Sequence, residues 1–179
     1  MKKLLSAGKK PYVLCLTAVG SGAGKTTLIE KLIIHLKNKG YRMGALKHSA
    51  HPVKMDRSGK DSFRFVAAGA GQVVVVSDET IGMVRTLCEP VNPERILALF
   101  EDVDIVLIEG FKNSRYPQIE VHRACMGQSL LYPGSDAMQI IAVASDEKLS
   151  LRVPVLDLND AAAIAVWIAA RAEDFFRTV

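Results

Sequence analysis

Cysteine is scarce in this chain: the three present, Cys15, Cys88 and Cys125, are an odd number and contain no C-x-x-C pair. That spacing excludes a disulfide framework and a zinc knuckle, and a reducing, cytoplasmic compartment fits it best. Long apolar runs are lacking too. Ala161 to Ala170, bounded by Asp160 and Arg171, falls far short of the roughly 20 residues that span a bilayer. Pro11 to Val19, preceded by Lys9-Lys10, imitates a secretory leader, but it runs directly into a glycine-rich motif that requires a strand at that place. No membrane association is expected. Nor is one sign of charge in strong excess: 23 Lys plus Arg against 19 Asp plus Glu give +4. This is short of the basic stripe that nucleic acid demands, so an anionic partner should be small. No repeat or low-complexity segment interrupts the chain. What remains is 179 residues, 49% apolar and 23% charged. That is the length and composition of a single globular domain whose core needs neither disulfide nor metal.

Short apolar, β-rich runs alternate with longer stretches of helical period, which predicts an α/β fold with a mostly parallel sheet flanked by helices. Tyr12 to Ala18 reads as a buried strand. Lys25 to Lys39 reads as a helix with Leu28, Leu32 and Leu36 on one face and Gly40 as its stop, and Tyr41 to Lys47 as a second strand. After a polar loop, a short helix opens at Asp61 or Ser62 and closes in Gly69-Ala70-Gly71. Gln72 to Ser77 and Thr80 to Leu87 resemble a hairpin around Asp78-Glu79, an antiparallel addition to the sheet. Asn92-Pro93-Glu94 supplies an N-cap, a proline at the first helical position and an acidic first turn for a helix through Phe100. Further strands are expected at Asp104 to Ile108, Gln118 to His122, Gln139 to Ala144 and Pro154 to Leu158. Asn159 or Asp160 caps a last helix reaching Phe176. The stretch from Ala124 to Ala137 carries no pattern that assigns it a role.

The first strand leads into Val19-Gly20-Ser21-Gly22-Ala23-Gly24-Lys25-Thr26-Thr27 and then an apolar helix, which is the context of a P-loop. Its glycines let successive backbone N–H groups of residues Gly20 to Thr27 turn inward around phosphate at the positive end of the new helix. Lys25 should reach the β- and γ-phosphates, and Thr26 has the hydroxyl position that ligates Mg²⁺. Val19 stands where the full G-x-x-x-x-G-K-[ST] pattern has its first glycine. Glu109 ends the apolar run Asp104-Ile105-Val106-Leu107-Ile108, at the end of the strand that faces the ligand crevice in open α/β sheets. A carboxylate there either holds the water shell of Mg²⁺ or pairs with a surface lysine.

These residues, with Lys47-His48, Gly59-Lys60-Asp61-Ser62, Glu109-Gly110-Phe111-Lys112 and Ala144-Ser145-Asp146, resemble the MobB family of molybdopterin-guanine dinucleotide biosynthesis adaptor proteins. The ordered motifs run from Tyr12 to the final helix. The resemblance implies a GTP-binding, weakly hydrolysing homodimer of the SIMIBI branch of P-loop proteins, using Mg²⁺ and assisting the guanylyltransferase that attaches GMP to molybdopterin. Lys25, Thr26 and Glu109 would then carry a slow hydrolysis by positioning and charge neutralisation. In that setting Asp61 is either an N-cap or a residue near Mg²⁺. Asp146 is either a loop aspartate or a reader of guanine, whose N1–H and 2-amino donors suit a carboxylate. His48 and His51 form an H-x-x-H that lacks an evident third ligand, with Asp56 and Asp61 nearest in sequence. Lys9, Lys10, Lys37 and Lys39 form a basic face, solvated or open to the phosphate of molybdopterin itself. The rival class is an ATP-dependent small-molecule enzyme similar to dethiobiotin synthetase, which also pairs a P-loop with a strand ending Glu-Gly. Nucleotide preference separates the two.

Overall fold

The computed structural model describes residues 10–49, 51, 53, 56–90, 92–133 and 138–178. Their elements in chain order are β1 (Tyr12–Thr17), α1 (Lys25–Asn38), β2 (Met43–Lys47), α2 (Asp61–Ala67), β3 (Gln72–Val76), β4 (Ile81–Arg85), α3 (Pro93–Leu97), β5 (Ile105–Glu109), β6 (Gln118–His122), β7 (Ile140–Ser145), β8 (Val155–Asp157) and α4 (Ala161–Thr178). The described residues form two compact units, one from those up to His48 and from Phe100 onward, the other from those between Ser49 and Leu99.

The larger unit is built on a six-stranded sheet in the order β2-β5-β1-β6-β7-β8, every neighbouring pair parallel. A parallel sheet directs all its carboxyl ends to one edge, where the loops that carry chemistry collect. Strand alternation divides its faces. Tyr12, Leu14 and Leu16 of β1, Ile105 and Leu107 of β5, Ile119 and Val121 of β6 and Ala142 and Ala144 of β7 join one apolar core with α1 and α4. α1 contributes Leu28, Ile29, Leu32 and Leu36, and α4 contributes Ala161, Ile164, Ala165, Ile168, Ala169 and Ala172. Both follow the i, i+3, i+4 rule of a one-sided helix. Alanines along α4 let it approach α1 and β1 closely. Asp160 caps α4 as expected, its Oδ1 accepting from the Ala163 amide at 2.9 Å.

The opposite positions of β6 are polar, Gln118, Glu120 and His122, yet all three are buried. Period-two alternation normally sends such residues to water. Here loops fold back over that face. The Gln118 amide donates to the carbonyls of Lys112 and Ser114 at 2.8 and 3.2 Å. The Glu120 carboxylate accepts from the Leu131 and Tyr132 amides. At the sheet's other end Asp104, buried at the start of β5, accepts from the Arg42 amide at 2.7 Å and pairs with its guanidinium at 3.1 Å. This fixes the β2–β5 register.

In the smaller unit β3 and β4 form an antiparallel sheet of their own. α2 packs against β3, and only Val73 of the hairpin is buried. Asn92 caps α3 by accepting from the Glu94 amide at 2.9 Å, with Pro93 at the first position. That helix ends at Leu97, earlier than its sequence pattern suggests. No helix among the described residues is long and apolar enough to cross a membrane.

Candidate functional site

The site lies at the carboxyl ends of the central strands. β1 ends at Thr17 and α1 starts at Lys25. Between them Gly22 and Gly24 adopt left-handed backbone, with φ of 85° and 92°. Gly24 is the N-cap of α1 and supplies no side-chain bond, so the first amides of the helix, from Lys25 onward, have no carbonyl partner within it. A residue with a β-carbon would be strained at that φ, and the loop would lose the turn that aims these amides. No acidic residue occupies the first turn, which leaves the positive end of the helix dipole to a ligand.

Thr26 then meets Glu109, which β5 delivers alongside β1, with the Lys25 ammonium near enough to feel its charge. Thr26 Oγ1 donates to Glu109 Oε2 at 2.9 Å, and Lys47, at the end of β2, pairs with Glu109 Oε1 at 3.4 Å. Lys25 Nζ donates to the Gly20 carbonyl at 2.9 Å. Lys112 Nζ, from the loop after β5, donates to the Val19 carbonyl at 2.8 Å. Burial pushes the Lys25 ammonium below the ordinary lysine range; Glu109 opposes that shift, and Lys112 and Lys47 add to it. Three ammoniums close enough to act on Lys25's charge, its own with those of Lys47 and Lys112, against the single Glu109 carboxylate make an anion-seeking edge. The Gly110 and Phe111 backbone that links Glu109 to Lys112 has φ of 97° and 61°, and the Phe111 ring meets His48 edge-on at 4.4 Å.

Of the three residues expected at one metal site, Thr26 and Glu109 are in direct contact, and both offer hard oxygen, the donor type Mg²⁺ takes. Asp61, the third residue assigned to it, lies in the smaller unit at the start of α2, exposed, 3.8 Å from Arg64; Lys60 is the N-cap there. Asp146 directly follows β7. Its Oδ1 accepts from the Ala124 amide at 2.9 Å and its Oδ2 meets Arg123 Nη1 at 3.3 Å. The Ala124 amide first, with Arg123 adding, holds this carboxyl below the ordinary aspartate range. No three His, Cys, Asp or Glu side chains gather as a metal cluster among the described residues, which leaves His48 and His51 without a third ligand there. Lys10, Lys37 and Lys39 are exposed, and Lys9 lies outside the described residues.

Sequence reasoning missed Lys47 and Lys112 as charged members of the site, and Arg123 altogether. The lysines stand inside recognisable motifs, Lys-His after β2 and Glu-Gly-Phe-Lys after β5, so their position at strand ends was available. Arg123 had only its place one residue beyond β6 to mark it.

Residues 13–146 match the family described as "Molybdopterin guanine dinucleotide synthesis protein B", MobB. The chain is 38% identical over 166 residues to the molybdopterin-guanine dinucleotide biosynthesis adapter protein of Escherichia coli K12, covering 90% of this chain and 94% of that one. It is 38% identical over 150 residues to the protein of that name from Haemophilus influenzae, covering 83% of each. Among solved structures, Bacillus subtilis MobB superposes with a TM-score of 0.69 at 24% identity, over 88% of this chain and 96% of that one. A MobB homolog from Bacillus stearothermophilus gives 0.65 over 91% and 99%, also at 24% identity. These two likenesses speak to the fold.

Proposed function

The chain belongs to the MobB family, and we propose that it serves molybdopterin guanine dinucleotide biosynthesis as an adapter that binds GTP with Mg²⁺ and hydrolyses it slowly. It would act beside the guanylyltransferase that joins GMP to molybdopterin. The observation that carries this reading is the convergence of Lys25, Thr26 and Glu109 at the mouth of a glycine loop that opens a helix. The loop amides and the Lys25 ammonium would hold the phosphates. The ammonium now rests on the Gly20 carbonyl, within the loop it would serve. Thr26 and Glu109 would hold Mg²⁺, with Lys47 giving up its contact to Glu109; the Lys47 side chain is 66% exposed, so its release into water costs little. Bound Mg²⁺ would supply charge neutralisation on the phosphate oxygens. Lys47 and Lys112 add positive charge at the same edge, and positioning with electrostatics suffices for slow turnover. Asp146 stands at the strand end next to the site and would read guanine; two of its acceptor positions are taken, and a carboxylate has about four.

A homodimer is the second part of the proposal. Val74, Val75, Val76, Ile81 and Met83 are exposed on a two-stranded hairpin, an apolar surface that a second copy would cover.

Calorimetric titration with GTP, GDP and ATP, with and without Mg²⁺, tests site, base and metal together. GTP binding that tightens with Mg²⁺ and exceeds ATP binding is expected; a preference for ATP would instead favour the small-molecule enzyme class. The base assignment has its own check: Asp146→Asn should shift preference from GTP toward XTP, since the amide faces guanine's amino group badly and xanthine's 2-oxo group well.

A further inference from the structure

The segment from Arg123 to Tyr132 lies across the phosphate loop. A β-carbon placed on Gly20 would come within 2.8 Å of the Gln128 side-chain amide, and one on Gly24 within 3.3 and 3.4 Å of Arg123 Nε and Nη2. Met126 Cε reaches within 3.7 Å of the same position on Gly22. The strap is tied down at both ends, by Asp146 to the Ala124 amide and by buried Glu120 to the amides of Leu131 and Tyr132. Glycine at position 20 thus permits the close approach of Gln128, in addition to any demand of the phosphates.

This arrangement sets a guanidinium over the N-cap of α1. Arg123 is the first residue after β6, and its Nη1 contacts Asp146 Oδ2 at 3.3 Å. The guanidinium keeps five N–H donors in a fixed fork, and this one bond to Asp146 leaves others to offer. Beside it in the loop is Gly24, whose position opens the unpartnered amides of the helix. In the sheet, β1 lies between β5 and β6. Glu109 and Lys112 therefore approach the loop from the β5 side and Arg123 from the β6 side. Those two directions divide the work along a polyphosphate. The β5 side brings Glu109, which with Thr26 would hold the cation and so supply charge neutralisation toward the terminal phosphates. The β6 side is left for phosphates nearer the nucleoside.

We infer that Arg123 is a phosphate-contacting residue of this site, oriented by Asp146, and that it grips the phosphates common to di- and triphosphates. The inference rests on the nucleotide-binding reading above and adds a cationic ligand which that reading lacks. Asp146 is then a positioning residue besides any part it plays at the base.

The test measures displacement of a fluorescent GTP analogue by GDP, GTP and inorganic tripolyphosphate. Arg123→Ala should lose about tenfold or more in affinity for GTP and GDP alike, the scale of one charge-assisted contact, and Arg123→Lys should recover part of it. Gln128→Ala loosens the strap without touching the guanidinium, and its affinities should stay close to the parent's. Asp146→Asn should weaken tripolyphosphate, a ligand without a base, which a purely base-reading aspartate could not do. Parent-like GDP affinity in Arg123→Ala overturns the inference, as does an equal loss in Gln128→Ala, which would assign the effect to strap order. Unchanged tripolyphosphate binding in Asp146→Asn removes the positioning role. Lys25→Ala separates the two levels: if it also leaves every ligand bound as before, the phosphate site itself is refuted, and if it abolishes binding while Arg123→Ala does not, only the arginine is.

Discussion

Replacing Glu120 by glutamine should release the strap while leaving the sheet standing. The carboxylate is buried, with 1% exposure, and accepts from Leu131 N at 2.6 Å and Tyr132 N at 2.9 Å. Glutamine keeps the size, but only its oxygen accepts, so its NH₂ group faces a backbone N–H and one charge-assisted bond is lost. Bonds to charged groups contribute about 1.5 to 3 kcal/mol, and the orphaned amide prevents the loss from being smaller. If the strap opens on its own, that energy raises its open population about ten- to 150-fold. If it opens only with the whole unit, the melting midpoint falls by about 3 to 12 °C for a chain of this size. Hydrogen exchange at the Leu131 and Tyr132 amides decides between the two, because local opening accelerates them without accelerating the core amides of β1 and β5. Glu101→Gln, at an exposed position, is the control and should stay within about 0.5 kcal/mol of the parent. Exchange and midpoint both indistinguishable from the parent would mean that Glu120 does not anchor the strap, and the account of the polar face of β6 would be wrong.

Lys25→Ala should abolish measurable triphosphate binding with the far-ultraviolet circular dichroism unchanged, since among the described residues its ammonium donates to the Gly20 carbonyl of the loop itself, not to the sheet or the helices. Because burial lowers the Lys25 pKa, the charged form is present at low and neutral pH and is lost as pH rises. GTP affinity should therefore begin to fall below the ordinary lysine range, and a flat profile through pH 10 would contradict this. Glu109→Gln should weaken the Mg²⁺ dependence of hydrolysis more than it weakens nucleotide binding; superimposable Mg²⁺ titrations would make Glu109 a partner of Thr26 and Lys47 only. Cys88 and Cys125 are exposed and Cys15 is buried, with burial pushing its thiol up to about 11 against the Ser114 hydrogen bond. A thiol reagent at pH 8 should therefore label two sites quickly and the third only in denaturant. Ile81→Lys on the exposed hairpin should move light scattering at micromolar concentration from dimer to monomer with no loss of fold; a parent that is already monomeric refutes the dimer.

Much of this molecule could be read one strand at a time. Buried parallel strands are continuous apolar runs, so β1, β5 and β7 announced themselves within a residue or so of their observed bounds. Asn92-Pro93-Glu94 marked the start of α3 for the same local reason, a cap chemistry that neighbours in sequence complete. Its end was not legible, because nothing in the pattern through Phe100 marks Leu97 as the last helical residue. The hairpin's pairing was legible, whereas its separation from the large sheet was not, since strand pairing beyond a tight turn depends on residues distant in the chain.

By itself the sequence determined the α/β class, the phosphate loop and the strand-end carboxylate at Glu109, because each depends on residues within a few positions of one another. Tertiary structure decided the rest. It buried Gln118, Glu120 and His122 on a face that alternation alone would give to water. It brought Lys25, Lys47, Lys112 and Glu109 to one edge of the glycine loop. It tied Asp146 to Arg123 above Gly24. The physical reason is common to all three. A polar side chain takes its role from whatever packs opposite, and here those partners arrive from strand ends, a helix start and loops that lie far away in the chain.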